Sequence, residues 1–293
     1  MKKIFFLSIS ILFSISLLNA TSEKAKEAYK FWTLSPEGGF YYDGVLSIQQ
    51  DNEGFIWIAM KNDIYRFDGY EYKRYFPAFK EIDPSRNWIF RNLASDSKGR
   101  LFVSTDNGLY IYNKLLDSFE ELLDSKISFV KIDNKDNIWI SYTDGTFFLF
   151  DLKTKSLTQP SCNEKPVTSI RTICANNKNM FAVSYNLIYY NNYGQLNFEV
   201  LYTFPKDYEI VDIKENKGKL WVLVRNIGLF KINIATREIE QQFNIFSQIN
   251  ERLRNIHVDK NGLVWITALN GLYTLDTKDN SYKKYLYDIS DPF

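Results

Sequence analysis

The sequence is short of the side chains that most enzymes and metal centres depend on. Its 293 residues hold one histidine, two cysteines and three methionines. One histidine leaves nothing for a multi-histidine metal site, and it gives a Ser-His-Asp hydrolase a single candidate base. That residue, His257, is also the only phospho-acceptor histidine on offer. It lies in Asn255-Ile256-His257-Val258-Asp259, which alternates like a strand rather than an exposed helix. An excess of either charge is missing too: 36 Lys+Arg stand against 35 Asp+Glu. A near-neutral chain has no electrostatic reason to bind nucleic acid or an anionic membrane surface. Neither cysteine resembles a catalytic thiol. Cys174 sits in an apolar strand pattern, as a small buried hydrophobe would, and pairing of Cys162 with Cys174 is left open. The composition points away from an enzyme, and no catalytic, metal-binding or cofactor-binding residue is assigned.

Aromatic residues are abundant, with 20 Tyr, 23 Phe and 6 Trp beside only 13 Gly. Such side chains suit half-buried strands, so the expected class is all-β. The N-terminus reads differently. Residues 1–20, MKKIFFLSISILFSISLLNA, join a basic start (Lys2, Lys3) to an apolar stretch from Ile4 to Leu18 and a small residue, Ala20. This is the pattern of a cleaved signal peptide. The apolar stretch is shorter than the roughly 20 residues a membrane span requires. No second long apolar run follows, so no span is expected after signal removal. Without Lys2 and Lys3, 34 basic residues face 35 acidic ones, a net −1. The expectation is export, to a periplasm, with 21–44 an N-terminal segment ending in an incoming strand.

Self-similarity sets the architecture of 45–293. Six segments share an alternating apolar run, an Asp, a Gly three residues on, an aromatic strand, a polar turn and a second aromatic strand. Their anchor aromatics are Trp57, Phe102, Trp139, Phe181, Trp221 and Trp265, spaced by 45, 37, 42, 40 and 44 residues. Six residues before each anchor stand Asp51, Asp96, Asp133, Ala175, Glu215 and Asp259. Three before it stand Gly54, Gly99, Asp136, Lys178, Gly218 and Gly262. The fourth repeat has lost both turn residues. An Asp carboxylate can accept from the amides that follow it, and Gly takes a positive-φ turn position. Four antiparallel strands in about 42 residues make one β-propeller blade. Blades are expected near 45–76, 89–122, 127–158, 167–204, 210–244 and 253–287. The anchors are expected to pack between neighbouring blades, as structural rather than functional residues.

The first repeat carries a more specific likeness. SIQQDNEGFIWIAMKNDIYRFDGYEYKRY (47–75) resembles the opening repeat of the two-component regulator propeller family. The shared residues are Gln50, Asp51, Gly54, Phe55, Ile56, Trp57, Ile58, Ala59, Arg66, Asp68, Gly69 and Tyr70. Met60 departs from the family's Thr, and Asp63-Ile64 from its Gly-Leu. The resemblance implies the periplasmic sensor region of a hybrid two-component histidine kinase that detects oligosaccharides and regulates glycan-use genes, with homodimers as in full-length members. It also implies a seven-bladed propeller, so six repeats ending at Phe293 read as an incomplete one, a fragment without the kinase core.

Propellers bind ligands chiefly on the face made by loops entering the innermost strand and loops joining strands two and three. Here those loops include Arg86, Asn87 and Trp88, Asp106-Asn107, Tyr142 to Asp144, Tyr185-Asn186, Arg225-Asn226 and Arg252 to Asn255. Planar aromatics can cover a sugar face, and Arg can satisfy hydroxyls or carboxylates. Arg91 and Arg254 share one register, five residues before the Asp. The candidate ligand contacts are therefore Arg86, Trp88, Arg91, Arg225, Arg252 and Arg254. The leading expectation is a non-enzymatic sensor module for an oligosaccharide. A free periplasmic propeller acting as a protein–protein scaffold is the alternative, and a propeller enzyme is the third reading.

Overall fold

Strand two of each repeat is apolar on both sides, and the structure shows why. In a computed structural model of the chain, the described residues are 44–285 apart from 177, 193–194, 244–252 and 269–270. The signal-peptide expectation, most of the N-terminal segment and Arg252 lie outside them. The described residues form six sheets, antiparallel within each four-stranded blade, of an all-β propeller. Blade one holds β1 (Val45–Gln50), β2 (Ile56–Met60), β3 (Asp63–Phe67) and β4 (Tyr72–Arg74). Blade two holds β5 (Phe90–Ser95), β6 (Leu101–Thr105), β7 (Leu109–Asn113) and β8 (Ser118–Leu123). Blade three holds β9 (Ile127–Ile132), β10 (Ile138–Tyr142), β11 (Phe147–Phe150) and β12 (Leu157–Thr158).

Blade four is enlarged. Its β15 (Thr172–Ala175), β16 (Asn179–Ser184), β17 (Leu187–Asn192) and β18 (Asn197–Thr203) are extended at the outer edge by the hairpin β13 (Ser161–Cys162) and β14 (Lys165–Pro166). β13 runs parallel to β18. Blades five and six are β19 (Ile210–Asn216), β20 (Lys219–Val224), β21 (Gly228–Asn233), β22 (Glu238–Phe243), then β23 (Leu253–Val258), β24 (Val264–Ala268), β25 (Gly271–Leu275) and β26 (Tyr282–Tyr285). Cys162 and Cys174 are both free thiols. They sit on β13 and β15, four strand steps apart, or roughly 19 Å at about 4.8 Å per step. That separation rules out the pairing left open above.

The hydrophobic core lies between blades. Because side chains alternate across a strand, β10 sends Trp139 towards blade four and Ile138 and Ile140 towards blade two. Trp57, Phe102, Phe181 and Trp221 likewise each pack in the layer shared with the following blade. A buried side chain of this size contributes about 1.5–3 kcal/mol, so each anchor secures two blades at once.

A second device joins the innermost strands. Ser47 Oγ accepts from the Leu93 amide at 3.1 Å. Asn92 accepts from the Val130 amide and donates to its carbonyl, both at 2.8 Å. Asp212 Oδ2 accepts from the Ile256 amide at 3.1 Å. At the matching position blade three has Phe129, which has no polar group to offer blade four.

One element departs from the repeat pattern. The outer strand of blade one stops at Arg74, and Phe76–Ile82 forms a seven-residue helix, α1, with a proline in its first turn. Phe79 is fully buried, with its ring 5.1 Å from Trp88, 4.9 Å from Phe90 and 4.6 Å from Phe119. The helix accounts for the longest repeat spacing, 45 residues.

Candidate functional site

The Asp-x-x-Gly turns are structural, and the six-residue offset between Asp and anchor has a direct cause. Asp51 accepts from the Glu53 and Phe55 amides at 3.0 Å and from the Trp57 indole at 2.8 Å. Asp133 does the same with Lys135, Asn137 and the Trp139 indole, at 2.9, 3.1 and 2.9 Å. Asp259 repeats the pattern with Asn261, Leu263 and Trp265, the last at 3.4 Å. In blade two the anchor is Phe102, which has no donor, and Asp96 accepts from Arg100 instead. Gly54, Gly99 and Gly262 all have positive φ, and Asp136 takes the same conformation in blade three. The turns also latch sideways: Asn52 donates to the Ser97 carbonyl, and the Ser97 amide to Asp136.

Blades four and five break this pattern. Ala175 pairs with Met180, one residue closer than the equivalent Ile132 and Ile138. Blade five closes on a two-residue turn, Lys217-Gly218, both at positive φ, where Glu215 accepts from the Gly218 amide at 2.8 Å. Trp221 thus stands three residues after Gly218, as the sequence pattern requires, on a tighter turn than in the Asp-x-x-Gly repeats. These short turns leave a cleft of about 860 Å³ on the turn face, lined by Asn134, Ala175, Lys178, Asn179, Glu215 and Arg237 among others.

The opposite, loop face holds the predicted ligand residues. A β-bulge recurs in the innermost strands, after Val45, Phe90, Ile127, Ile210 and Leu253. The bulged residues are Leu46, Arg91, Ser128, Val211 and Arg254, so the shared register of Arg91 and Arg254 is a shared bulge. Bulges re-aim a side chain. Pairing of Thr172 with Val183 places Arg171 at the same position in blade four. Sequence register missed Arg171 because the blade-four turn is one residue short: Arg171 stands ten residues before its anchor Phe181, where Arg91 and Arg254 stand eleven before Phe102 and Trp265.

The structure separates the six candidates. Trp88 is 1% exposed, under Phe79 and against Tyr110, with its indole donating to the Asp83 carbonyl at 3.3 Å. It has no surface to offer a ligand, and its assignment as a contact is corrected. Arg86 is held by Asp83 at 3.1 Å, Glu121 at 3.2 Å and Asp124 at 3.4 Å, as a clamp between the α1 loop and blade two. Arg91 makes a two-point pair with Asp106, at 2.7 and 3.0 Å. Arg225 makes another with Glu209, at 2.7 and 3.2 Å. Arg254 is exposed on the blade-six bulge.

Arg171 and Arg225 converge on one carboxylate. Glu209 accepts from both, and the bonds from Arg225 first, then from Arg171, hold its pKa below the usual glutamate value. The Arg171 guanidinium lies 4.1 Å from the centre of the Tyr185 ring, a cation–π stack. Tyr185 is 54% exposed. Beside it, where the inner-strand link between blades three and four is missing, opens a cleft of about 520 Å³. Ser128, Tyr142, Asp144, Ser169, Arg171 and Tyr185 are among its lining residues. Two tyrosines, a guanidinium and a carboxylate around one opening can meet the faces and hydroxyls of a polar ring. Among the described residues no group of His, Cys, Asp and Glu could hold a metal ion.

Comparison with known proteins places this geometry. The extracellular domain of a protein described as the hybrid two component system BT4673 from B. thetaiotaomicron superposes with a TM-score of 0.74 at 19% identity. The match covers 90% of this chain and 35% of that one. The corresponding domain of BT3049, from the same organism, gives 0.68 at 20% identity, over 87% and 36%. Virginiamycin B lyase from Staphylococcus aureus gives 0.68 at 17%, over 84% and 85%. What these proteins share with the chain is the fold. The chain spans about a third of the length of the two extracellular domains. No family profile and no curated protein matches its sequence.

Proposed function

We propose that the chain is an exported, non-catalytic ligand-sensing propeller, and that the loop-face cleft between blades three and four receives its ligand. The observation that carries this reading is the convergence of Tyr142, Asp144, Arg171 and Tyr185 on that cleft, at the junction where Phe129 stands in place of a polar side-chain link. The fold held in common with extracellular domains of two-component systems supports a sensory role and a periplasmic location. An oligosaccharide suits the lining, since tyrosine rings cover apolar sugar faces while Arg and Asp satisfy hydroxyls. The stretch 47–75 supports the same class through its resemblance to the regulator propellers.

Titration calorimetry against a panel of neutral and acidic oligosaccharides tests the reading. Binding should be saturable, and Tyr185→Ala should weaken it by about 1–3 kcal/mol, the range for an aromatic contact. Arg86→Ala, away from the cleft, should leave affinity unchanged. Binding that persists in Tyr185→Ala and Arg171→Ala would move the site elsewhere. Turnover of any panel member would replace sensing with catalysis.

A further inference from the structure

Blades four and five end side by side on the turn face, and the cleft of about 860 Å³ is lined from both ends. Blade four supplies Asn176, Lys178 and Asn179 from around its β15–β16 turn, and Tyr190 and Asn192 from the end of β17. Blade five supplies Glu215 and Gly218 from around its β19–β20 turn, and Ile234, Ala235 and Arg237 from its β21–β22 turn. Each wall therefore runs from an inner turn to an outer one, two strand steps, or roughly 10 Å at about 4.8 Å per step. The cleft is a groove laid across the strand ends.

Both rims are held by their own hydrogen bonds. Asn176 Oδ1 accepts from the Lys178 and Asn179 amides at 2.9 and 2.8 Å. Asn233 Oδ1 accepts from the Ala235 amide at 3.0 Å. The Ile234 amide donates to the Gly218 carbonyl at 3.2 Å, which ties the inner and outer turns of blade five together. Pre-formed walls spare a ligand the cost of ordering them.

The polar groups left over are amides. Antiparallel pairing sets Asn179 opposite Asn192 and Phe181 opposite Tyr190, so Asn179, Asn192 and Tyr190 share the face that meets blade five. Neither Asn179 nor Asn192 has a side-chain hydrogen bond among the described residues. The charges on the walls balance. Lys178 and Arg237 stand with Glu215, and Arg237 is paired with Glu199 at 3.1 Å, so two cations meet two carboxylates. Glu215 also accepts from the Gly218 amide at 2.8 Å. The wall's aromatic ring gives little face to a sugar, since Tyr190 is half-buried and covered by the Arg237 guanidinium at 5.1 Å. Tyr185 in the loop-face cleft is 54% exposed.

We propose that this groove binds an extended segment of a partner polypeptide, about three or four residues long, recognised through its backbone. Each residue of such a segment offers one N–H and one C=O, the two groups that an asparagine amide meets with its own carbonyl and NH2. At about 3.3 Å per residue, three or four residues span the distance between inner and outer turns. Ile234 and Ala235 suit a small apolar side chain, and the balanced walls give no preference for a strongly acidic or basic sequence. The site is distinct from the loop-face cleft and does not depend on the reading given to that cleft.

Panning a phage-displayed library of random heptapeptides against the intact protein tests the groove. Enriched peptides, synthesised with capped ends and followed by fluorescence anisotropy, should bind saturably. Asn192→Ala should weaken them about two- to tenfold, the range for a hydrogen bond. Ala235→Trp, at an exposed turn position, should abolish binding by filling the groove, and Lys98→Ala on the blade-two turn should leave it unchanged. In the unaltered protein a bound peptide should slow hydrogen exchange at 190–192 and 233–237, and that footprint decides where a variant does not fold. A library that yields no enriched peptide, or peptides indifferent to both groove substitutions and to that footprint, would overturn the assignment. An oligosaccharide whose binding is lost in Asn192→Ala and Ala235→Trp would give the groove to a sugar instead.

Discussion

Replacing Asp133 by alanine isolates the interaction that sets the repeat. The carboxylate is 5% exposed and accepts four hydrogen bonds: two from turn amides, one from Asn137 Nδ2 at 2.9 Å and one from the Trp139 indole at 2.9 Å. The turn amides lie near solvent and can exchange to water, at about 0.5–1.5 kcal/mol each. The indole cannot. Trp139 is 3% exposed and stacked on Phe147 at 5.3 Å, so its N–H is left buried and unpaired, at about 1–3 kcal/mol. The sum is a loss of about 2–6 kcal/mol. Asp259→Ala should cost less, since its bond to a partly exposed Trp265 is long, at 3.4 Å. Urea unfolding followed by far-UV circular dichroism measures both. A double-mutant cycle with Trp139→Phe should return about 1–2 kcal/mol of coupling, because phenylalanine removes the donor along with its unmet need. If Asp133→Ala unfolds within 0.5 kcal/mol of the unaltered protein, the Asp–Trp bond is not what fixes the six-residue offset.

Gly108→Ala should destabilise by about 1–3 kcal/mol, the range for overpacking, because its Cβ would stand 2.3 Å from the Leu123 carbonyl oxygen, a backbone atom that cannot step aside. A melting curve checks this. Glu209 has a native pKa below its ordinary value of 4.5, so its pairs with Arg225 and Arg171 stabilise the loop-face mouth above pH 4.5. That stability is lost as pH falls through the native value. Limited proteolysis of 205–228 should therefore accelerate in acid, and Glu209→Gln should show the fast rate at neutral pH. Two free thiols should titrate in the unfolded protein without reductant, and in the native state Cys174, the more strongly shifted thiol, should alkylate last. A single disulfide-linked species would contradict the strand order of blade four.

Much of this fold was legible in the sequence because a propeller is a local pattern repeated. A continuous apolar run around Trp139 or Trp221 reports a strand buried on both faces, and Asp six residues before Trp57, Trp139 and Trp265 reports the indole bond. The parts that escaped are those without a repeat to read from. Helix α1 is an element of about two turns whose helicity comes from Phe79 docking among Trp88, Phe90 and Phe119, a tertiary effect. Trp88 was misassigned for the same reason: its position in a loop suggested access, and the helix that covers it had left no periodicity. The β13–β14 hairpin is two residues per strand, too short for alternation to register.

The two clefts lie where the repeat fails rather than where it holds. In an ideal propeller each blade is zipped to the next at the inner strand and latched at the turn, and both faces are sealed. Blade four breaks both connections. Its turn is a residue short, and the turn-face cleft opens beside it. Blade three meets it with Phe129 where Asn92 or Asp212 makes a polar link elsewhere, and the loop-face cleft opens at that seam. Ala175 and Lys178, standing where Asp and Gly belong, mark the turn-face opening in the sequence, and Phe129 marks the loop-face one. The two clefts flank blade four. Occupancy of either cleft bears on blade four, and through its shared core with blade five on Phe230 and Ile213. A ligand that tightens blade four should therefore slow amide exchange first along β15 and β19, before any change in blades one and two.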